Sequence, residues 1–380
     1  MADLPPADPV ARFRTIQVTA WPYVPAFTSW RISAELFAVL EAHSEVRETG
    51  VEFLKQKTGR PEEDCEKLYL QFQAYIRQAK TFFTAAEDLH HRASPLFTYY
   101  AFLNLAKAYL CRRVPDLMLN EERLRHGLSA AKPRADFKDE SFRVSAGVFE
   151  HLYHGVTDIR LSELELNIQE MFLYVSDISF DPAGSKPDKS RLTLGKSRYV
   201  LDEKGTFGRW LVAIATFEGA TEFPGAFEQF FDKFEEVDTP QGVAERLFGI
   251  MSEARSLYRF FQTKVKFDPN SATSMSEFGG LLQPVICRYM VQFPFYGDFE
   301  FLIGTPVGGS FAYPWSEMFA SYVLFFYLGS LVRYHPAYLE RLLGRKEAWL
   351  IEQFATTARL TLLRHFVMYV LDKGIVLAAR

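Results

Sequence analysis

Apolar residues recur at three- and four-residue steps over most of this chain, and the elements such spacing predicts are helices. Between Cys65 and His90, the positions Leu68, Leu70, Phe72, Tyr75, Ile76, Phe82 and Phe83 keep to it. They predict one long amphipathic helix starting near Pro61, with Glu62, Glu63 and Asp64 in a first turn where the helix dipole favours acids. Ser29 is placed to cap an earlier helix over 30–43, and residues 1–28, rich in proline and small side chains, read as an extended arm. The stretch SPLFTYYAFLNLAKAYL, residues 94–110, differs from its neighbours. With Ser94 as N-cap and Pro95 in the first turn, Leu96, Tyr100, Leu103, Lys107 and Leu110 make one stripe and Phe97, Ala101, Asn104 and Ala108 the next. Both stripes are mostly apolar, so more than half the circumference is expected to be buried. The alanines admit a close neighbour, and Asn104 becomes a buried amide in need of partners across that contact.

Downstream the pattern changes period. Residues 142–155 read as short mixed elements, 161–175 as a helix and PAGSKPDKS, 182–190, as a linker. Residues 191–201 and 209–217 alternate or carry β-branched side chains, which predicts a small hairpin or sheet. Helical spacing resumes over 227–236, where Phe227, Phe230, Phe231 and Phe234 share a face, and over 245–261 after Asp238-Thr239-Pro240. Three helices are expected at the end, over 315–334, 337–343 and 347–371. The fold class is therefore mainly α, a helical bundle with a small β inset in the middle of the chain. Its expected divisions are an arm (1–28), an N-terminal bundle (29–140), a mixed α/β region (141–240) and a C-terminal helical region (241–380) packed on the first bundle.

Composition sharpens this picture in two places. The 36 phenylalanines among 380 residues call for a core built of large flat side chains. The run 318–332 has fifteen uncharged residues, fewer than the ~20 a membrane span needs, and includes two serines and two tyrosines, so it reads as a core helix. Three cysteines make neither a disulfide framework nor a zinc cluster and suit a reducing cytoplasm, and the first residues lack the apolar core of a signal peptide. A net charge of −4 supplies no global field for nucleic acid or membrane. Charge is local instead: residues 107–138 hold eight cations against four acids, residues 333–380 again eight against four, and 218–238 seven acids against Lys233.

Candidate chemistry follows those clusters. GTPVGGS, 304–310, lacks the Gly-Lys-Ser/Thr ending of a phosphate loop, and no G-x-G-x-x-G follows a strand, so no cofactor is expected. Glu150, His151 and His154 could share a metal on a helix, but Gly155 reads as the residue closing that helix, which makes the histidines last-turn partners of its carbonyls; no metal is expected. Arg333-Tyr334-His335-Pro336 gathers polar groups where one helix stops, since Pro336 forces His335 out of helical geometry. Arg333 and His335 either satisfy the last carbonyls or contact an anion at a cleft. Arg123, Arg125 and His126, with Arg112 and Arg113 nearby, form a second basic cluster, a solvated face or a surface for RNA or an acidic partner. Arg359 and His365 form an Arg-x5-His pair on a helix.

SPLFTYYAFLNLAKAYL, then RHGL, GVFEHLY and LVRYHP with a helical tail, resembles the YaaC-like family of bacterial proteins, from about residue 68 to the end. That resemblance implies a bacterial cytoplasmic protein and no particular reaction. The 94–110 helix is also similar to the core helix of HEPN domains, helical bundles that often dimerise and occur in toxin and phage-defence systems. This implies self-association or a protein partner, with RNA or a nucleotide as alternative ligands, and a non-catalytic binding or effector module. It also implies a competing function, a metal-independent ribonuclease with His365 as base and Arg359 stabilising the transition state. The polar residue such ribonucleases carry after the arginine is here Leu360, and His126 has no arginine at the required distance.

Overall fold

The apolar periodicity is realised in a mainly helical protein. Its computed structural model describes residues 14–15, 23–28, 32–120, 124–131, 133–161, 163–176, 192–201, 207–215, 233–238, 242–268, 270–271, 273–274, 277, 289–292, 299–304 and 315–379. The chain forms two units, one made of residues 24–190 and 315–380, the other of 1–23 and 191–314. This replaces the expected four-part division, because strand pairing recruits residues from both sides of 240 into one sheet.

The first unit carries α1 (Ile32–Ser44), α2 (Arg47–Thr58), α3 (Glu62–Asp88), α4 (Ser94–Arg113) and the short α5 (Pro115–Leu119). A small antiparallel sheet follows, β3 (Leu128–Ala130), β4 (Ser141–Val144) and β5 (Leu164–Asn167), with α6 (Val148–Thr157) after β4 and one turn, α7 (Ile168–Met171), after β5. The expected 161–175 helix is thereby shortened: residues 164–167 pair with β4, and Asn167 caps the turn by accepting from the Glu170 N–H at 3.1 Å. Gly155 sits inside α6, which ends instead at Asp158 in the left-handed region.

Helix α4 lies at the centre. It packs on α3 and on two helices from the far end of the chain, Glu317–Tyr334 and Glu347–Leu371, which flank Pro336–Leu343. Phe102 of α4 meets Phe83 at 6.1 Å, Phe325 at 5.8 Å and Phe366 at 5.4 Å, so one aromatic ring joins four helices. Where α4 crosses Glu317–Tyr334, a side chain at Gly329 would lie 3.3 Å from the Leu96 Cα, so the approach depends on small residues. Two details differ from expectation. The helix begins at Ser94 with no side-chain cap, and Asn104, 5% exposed, donates to the Tyr100 carbonyl of its own helix at 2.8 Å rather than across the contact. The run 318–332 is buried in the core at nearly every position, and among the described residues no helix is long and apolar enough to cross a membrane.

The second unit is a seven-stranded antiparallel sheet. In chain order it contains β1 (Arg14–Thr15), β6 (Leu192–Leu201), β7 (Gly208–Ala215), β8 (Phe234–Glu236), β9 (Tyr258–Thr263), β10 (Tyr289–Gln292) and β11 (Phe299–Gly304). The order across it is β10-β11-β6-β7-β9-β8, with β1 also on β6. The hairpin expected from 191–217 is present as β6–β7. The helix expected over 245–261 is not: a short α8 (Val243–Phe248) gives way to a 3-10 turn, and Tyr258–Thr263 pairs with β7 and β8. Likewise Phe234 begins a strand rather than ending a helix; residues 227–232 lie outside the described residues. Phe248 and Phe260 pack at 5.7 Å with Leu211 and Ala213 under the sheet. Back in the helical unit, β2 (Tyr23–Thr28) of the expected arm pairs with a strand after the last helix, β12 (Gly374–Ala379).

A candidate anion-binding face on the central helix

Tyr100, Asn104 and Lys107 stand at i, i+4 and i+7 of α4 and therefore share one face. Two residues from distant segments join them. The first is Arg333, in the last turn of Glu317–Tyr334, whose Nη1 donates to the Tyr100 hydroxyl at 2.7 Å. The second is His126, whose Nδ1 lies 2.5 Å from the hydroxyl of Tyr99.

The His126 segment is held by backbone. The N–H groups of Val148 and Phe149, opening α6, donate to the carbonyls of Arg125 at 2.9 Å and His126 at 3.1 Å. This works only because Gly147 and Gly127 cross without side chains: a Cβ on Gly147, at φ 153°, would stand 2.5 Å from the Arg125 carbonyl oxygen.

The electrostatics of the face are one-sided. Packing around the His126 ring lowers its pKa, and the charges of Lys107 and Arg333 lower it further. Partial burial also lowers that of Lys107, whose Nζ lies over the Tyr75 ring, 5.4 Å from its centroid. Tyr99 is held protonated, first by burial and then by the neighbouring Tyr322, with which its ring packs edge to face at 5.7 Å. Either group can donate in this contact: with the phenol donating to Nδ1, a neutral His126 carries its proton on Nε2 and offers it to a ligand, and with Nδ1–H donating, Nε2 is an acceptor. Elsewhere in the unit cations sit with acids, as in Arg77–Glu45, Lys80–Glu41, Arg92–Glu340 and Arg113–Asp158. Among the described residues none pairs with Lys107, His126 or Arg333.

The other residues singled out by sequence are placed apart from this face. Arg359 donates to the Ala86 carbonyl, in the last turn of α3, at 2.9 Å. His365 is 4% exposed in the core, and burial, then Arg364, pushes its pKa down to about 3. The expected catalytic pair is corrected accordingly: one member caps a helix and the other is walled off from substrate. His335 leaves helical geometry as Pro336 requires, at φ −138°, but its backbone N–H rather than its ring serves the Leu331 carbonyl, at 2.9 Å. Arg333 reaches Tyr100 instead of the last carbonyls. Arg125 is exposed beside His126, and Arg123 lies outside the described residues. Arg112 and Arg113 are consumed by carbonyls, Arg112 on Tyr369 at 2.7 Å and Arg113 on Gly155 at 3.0 Å. Glu150 pairs with His151 at 3.3 Å, and no group of side chains suited to a metal ion occurs among the described residues. Lys107 and Tyr99 escaped sequence reasoning as site residues. The available signal was a lysine within an otherwise apolar stripe.

A model of the YaaC-like Protein family matches residues 42–218 and 291–370, more than half of the chain. The chain belongs to the YaaC-like family. No curated protein and no solved structure matches it. The matched residues of this YaaC-like protein include α4, His126, Lys107 and Arg333. The stretch between them, 219–290, supplies β8, α8 and β9, at one edge of the larger sheet.

Proposed function

We propose that this YaaC-like protein is a non-catalytic binding module of a bacterial cytoplasmic complex, which holds an anionic group of its partner on the face formed by Lys107, His126 and Arg333. The observation that carries this reading is the meeting of three basic side chains from three chain segments, with no carboxylate paired to them among the described residues. Lys107 is the half-buried member: it loses hydration without a paired acid among the described residues, and an incoming anion restores the balance, while the exposed Arg333 and His126 add charge and a donor beside it. The likeness of α4 to the HEPN core helix fits such a module, and it is that likeness which makes a phage-defence or toxin-related assembly its setting. A ribonuclease using Arg359 and His365 draws no support from the geometry, because His365 is buried in the core.

The test is calorimetric titration of the full chain with pyrophosphate. Binding is expected, falling about tenfold or more in Lys107→Met and Arg333→Met, as loss of a charge-assisted hydrogen bond requires. Equal binding by both variants and the parent sinks the reading, as does no binding at all. RNA incubated with the protein in EDTA should remain intact.

A further inference from the structure

Arg333 touches more than Tyr100. Its guanidinium lies 5.0 Å from the centroid of the Tyr334 ring, and that ring is 62% exposed at the very end of its helix. The cation covers one face of the tyrosine. An aromatic ring in water beside a group of cations has no use for an acidic peptide or a bare inorganic anion, since both need only the charges. It matches a ligand that carries a flat π-system within a few ångströms of a phosphate.

We infer that the ligand of this face is a nucleotide unit, with its phosphate held by Lys107, His126 and Arg333 and its base stacked on Tyr334. The inference rests on the binding-module reading above and adds the ligand class. The base has no described hydrogen-bonding partner dedicated to it, so stacking supplies affinity without strong preference among bases. A free mononucleotide and one residue of a single strand present the same chemistry, and length of ligand separates them.

The experiment titrates the full chain with AMP, ATP, an eight-residue single-stranded RNA, pyrophosphate, ribose 5-phosphate and poly-glutamate. A nucleotide-bearing ligand is expected to bind about tenfold more tightly than pyrophosphate or ribose 5-phosphate, the scale of one stacked base. Tyr334→Ala should remove that advantage of nucleotide over pyrophosphate, while Tyr334→Trp, which keeps a ring beside Arg333, retains or increases it. Because Tyr334 is exposed, neither change is expected to disturb the fold, which circular dichroism of both variants checks. Tight binding of the RNA with weak AMP and ATP assigns a strand as the source; comparable binding of AMP or ATP assigns a free nucleotide. Equal affinity for ribose 5-phosphate and AMP, unchanged by Tyr334→Ala, overturns the nucleotide assignment while the anion face survives. Preference for poly-glutamate overturns it in favour of an acidic protein. Failure of every anion removes the module reading beneath it.

Discussion

At the scale of single residues, His365 shows burial deciding a role. The ring sits among apolar side chains with Nε2 unpartnered, and protonating it would place a charge in the core beside Arg364. Its folded pKa, about 3, lies below the unfolded value near 6.5, so the folded state binds fewer protons and stability falls as pH drops from 6.5 towards 3. Between pH 7 and 5 this one group should cost about 2 kcal/mol. Urea unfolding of His365→Leu at the two pH values checks it: the variant should lose that much less on acidification than the parent. An equal loss in both would place the acid sensitivity elsewhere. His126 runs the other way on binding. An anion beside it raises a pKa that its own packing, Lys107 and Arg333 had lowered, so a proton is taken up and affinity should strengthen as pH falls from 8 to 6. His126→Gln should flatten that dependence while retaining part of the affinity, read by calorimetry in two buffers of different ionisation enthalpy.

Among elements, the decisive contact is α4 against Glu317–Tyr334. A Cβ at Gly329 would stand 3.4 Å from the Pro95 carbonyl oxygen and 3.5 Å from the Tyr99 Cβ, so the glycine sets how near the helix carrying Arg333 comes to the helix carrying Tyr100. Leucine there must push the pair apart, and Gly329→Leu should cost about 2 kcal/mol and weaken anion binding together. A variant with parental stability and binding would show the contact to be slack. The helices of this region were legible because each obeys its own period: α3, α4 and the last three helices follow from local spacing, and the apolar run at 318–332 could be told from a membrane span by its length. Elements made by partners far away were not. Tyr258 to Thr263 carries enough aromatic residues to suit either state, and β7 and β8 decide for strand. Residues 164–167 likewise pair with β4 before any helix starts. Helix α2, whose RETGVEFLKQKT is mostly polar, hid because its apolar stripe is narrow. For the candidate site, sequence marked Arg333, His126 and Asn104 separately. That Arg333 reaches Tyr100, 233 positions away, is a property of the packing and has no local trace.

For the whole molecule, the helical unit is interrupted in sequence but closed in space. Its described residues run to Ser176 and resume at Trp315, and there the carboxylate of Glu317 accepts from both the N–H and the hydroxyl of Ser176, each at 2.7 Å. Joining Ser176 to Trp315 through a short Gly-Ser bridge, with 177–314 removed, should therefore leave a cooperatively folding helical unit that still binds pyrophosphate. A product that melts without cooperativity, followed by circular dichroism, would show that the sheet-forming residues are needed for the helices to fold. That clasp also has a mechanical meaning. A pull that draws Ser176 away from Glu317 must break two hydrogen bonds to one carboxylate, and Glu317→Gln, which removes the charge that strengthens them, should lower the force at which the two segments part.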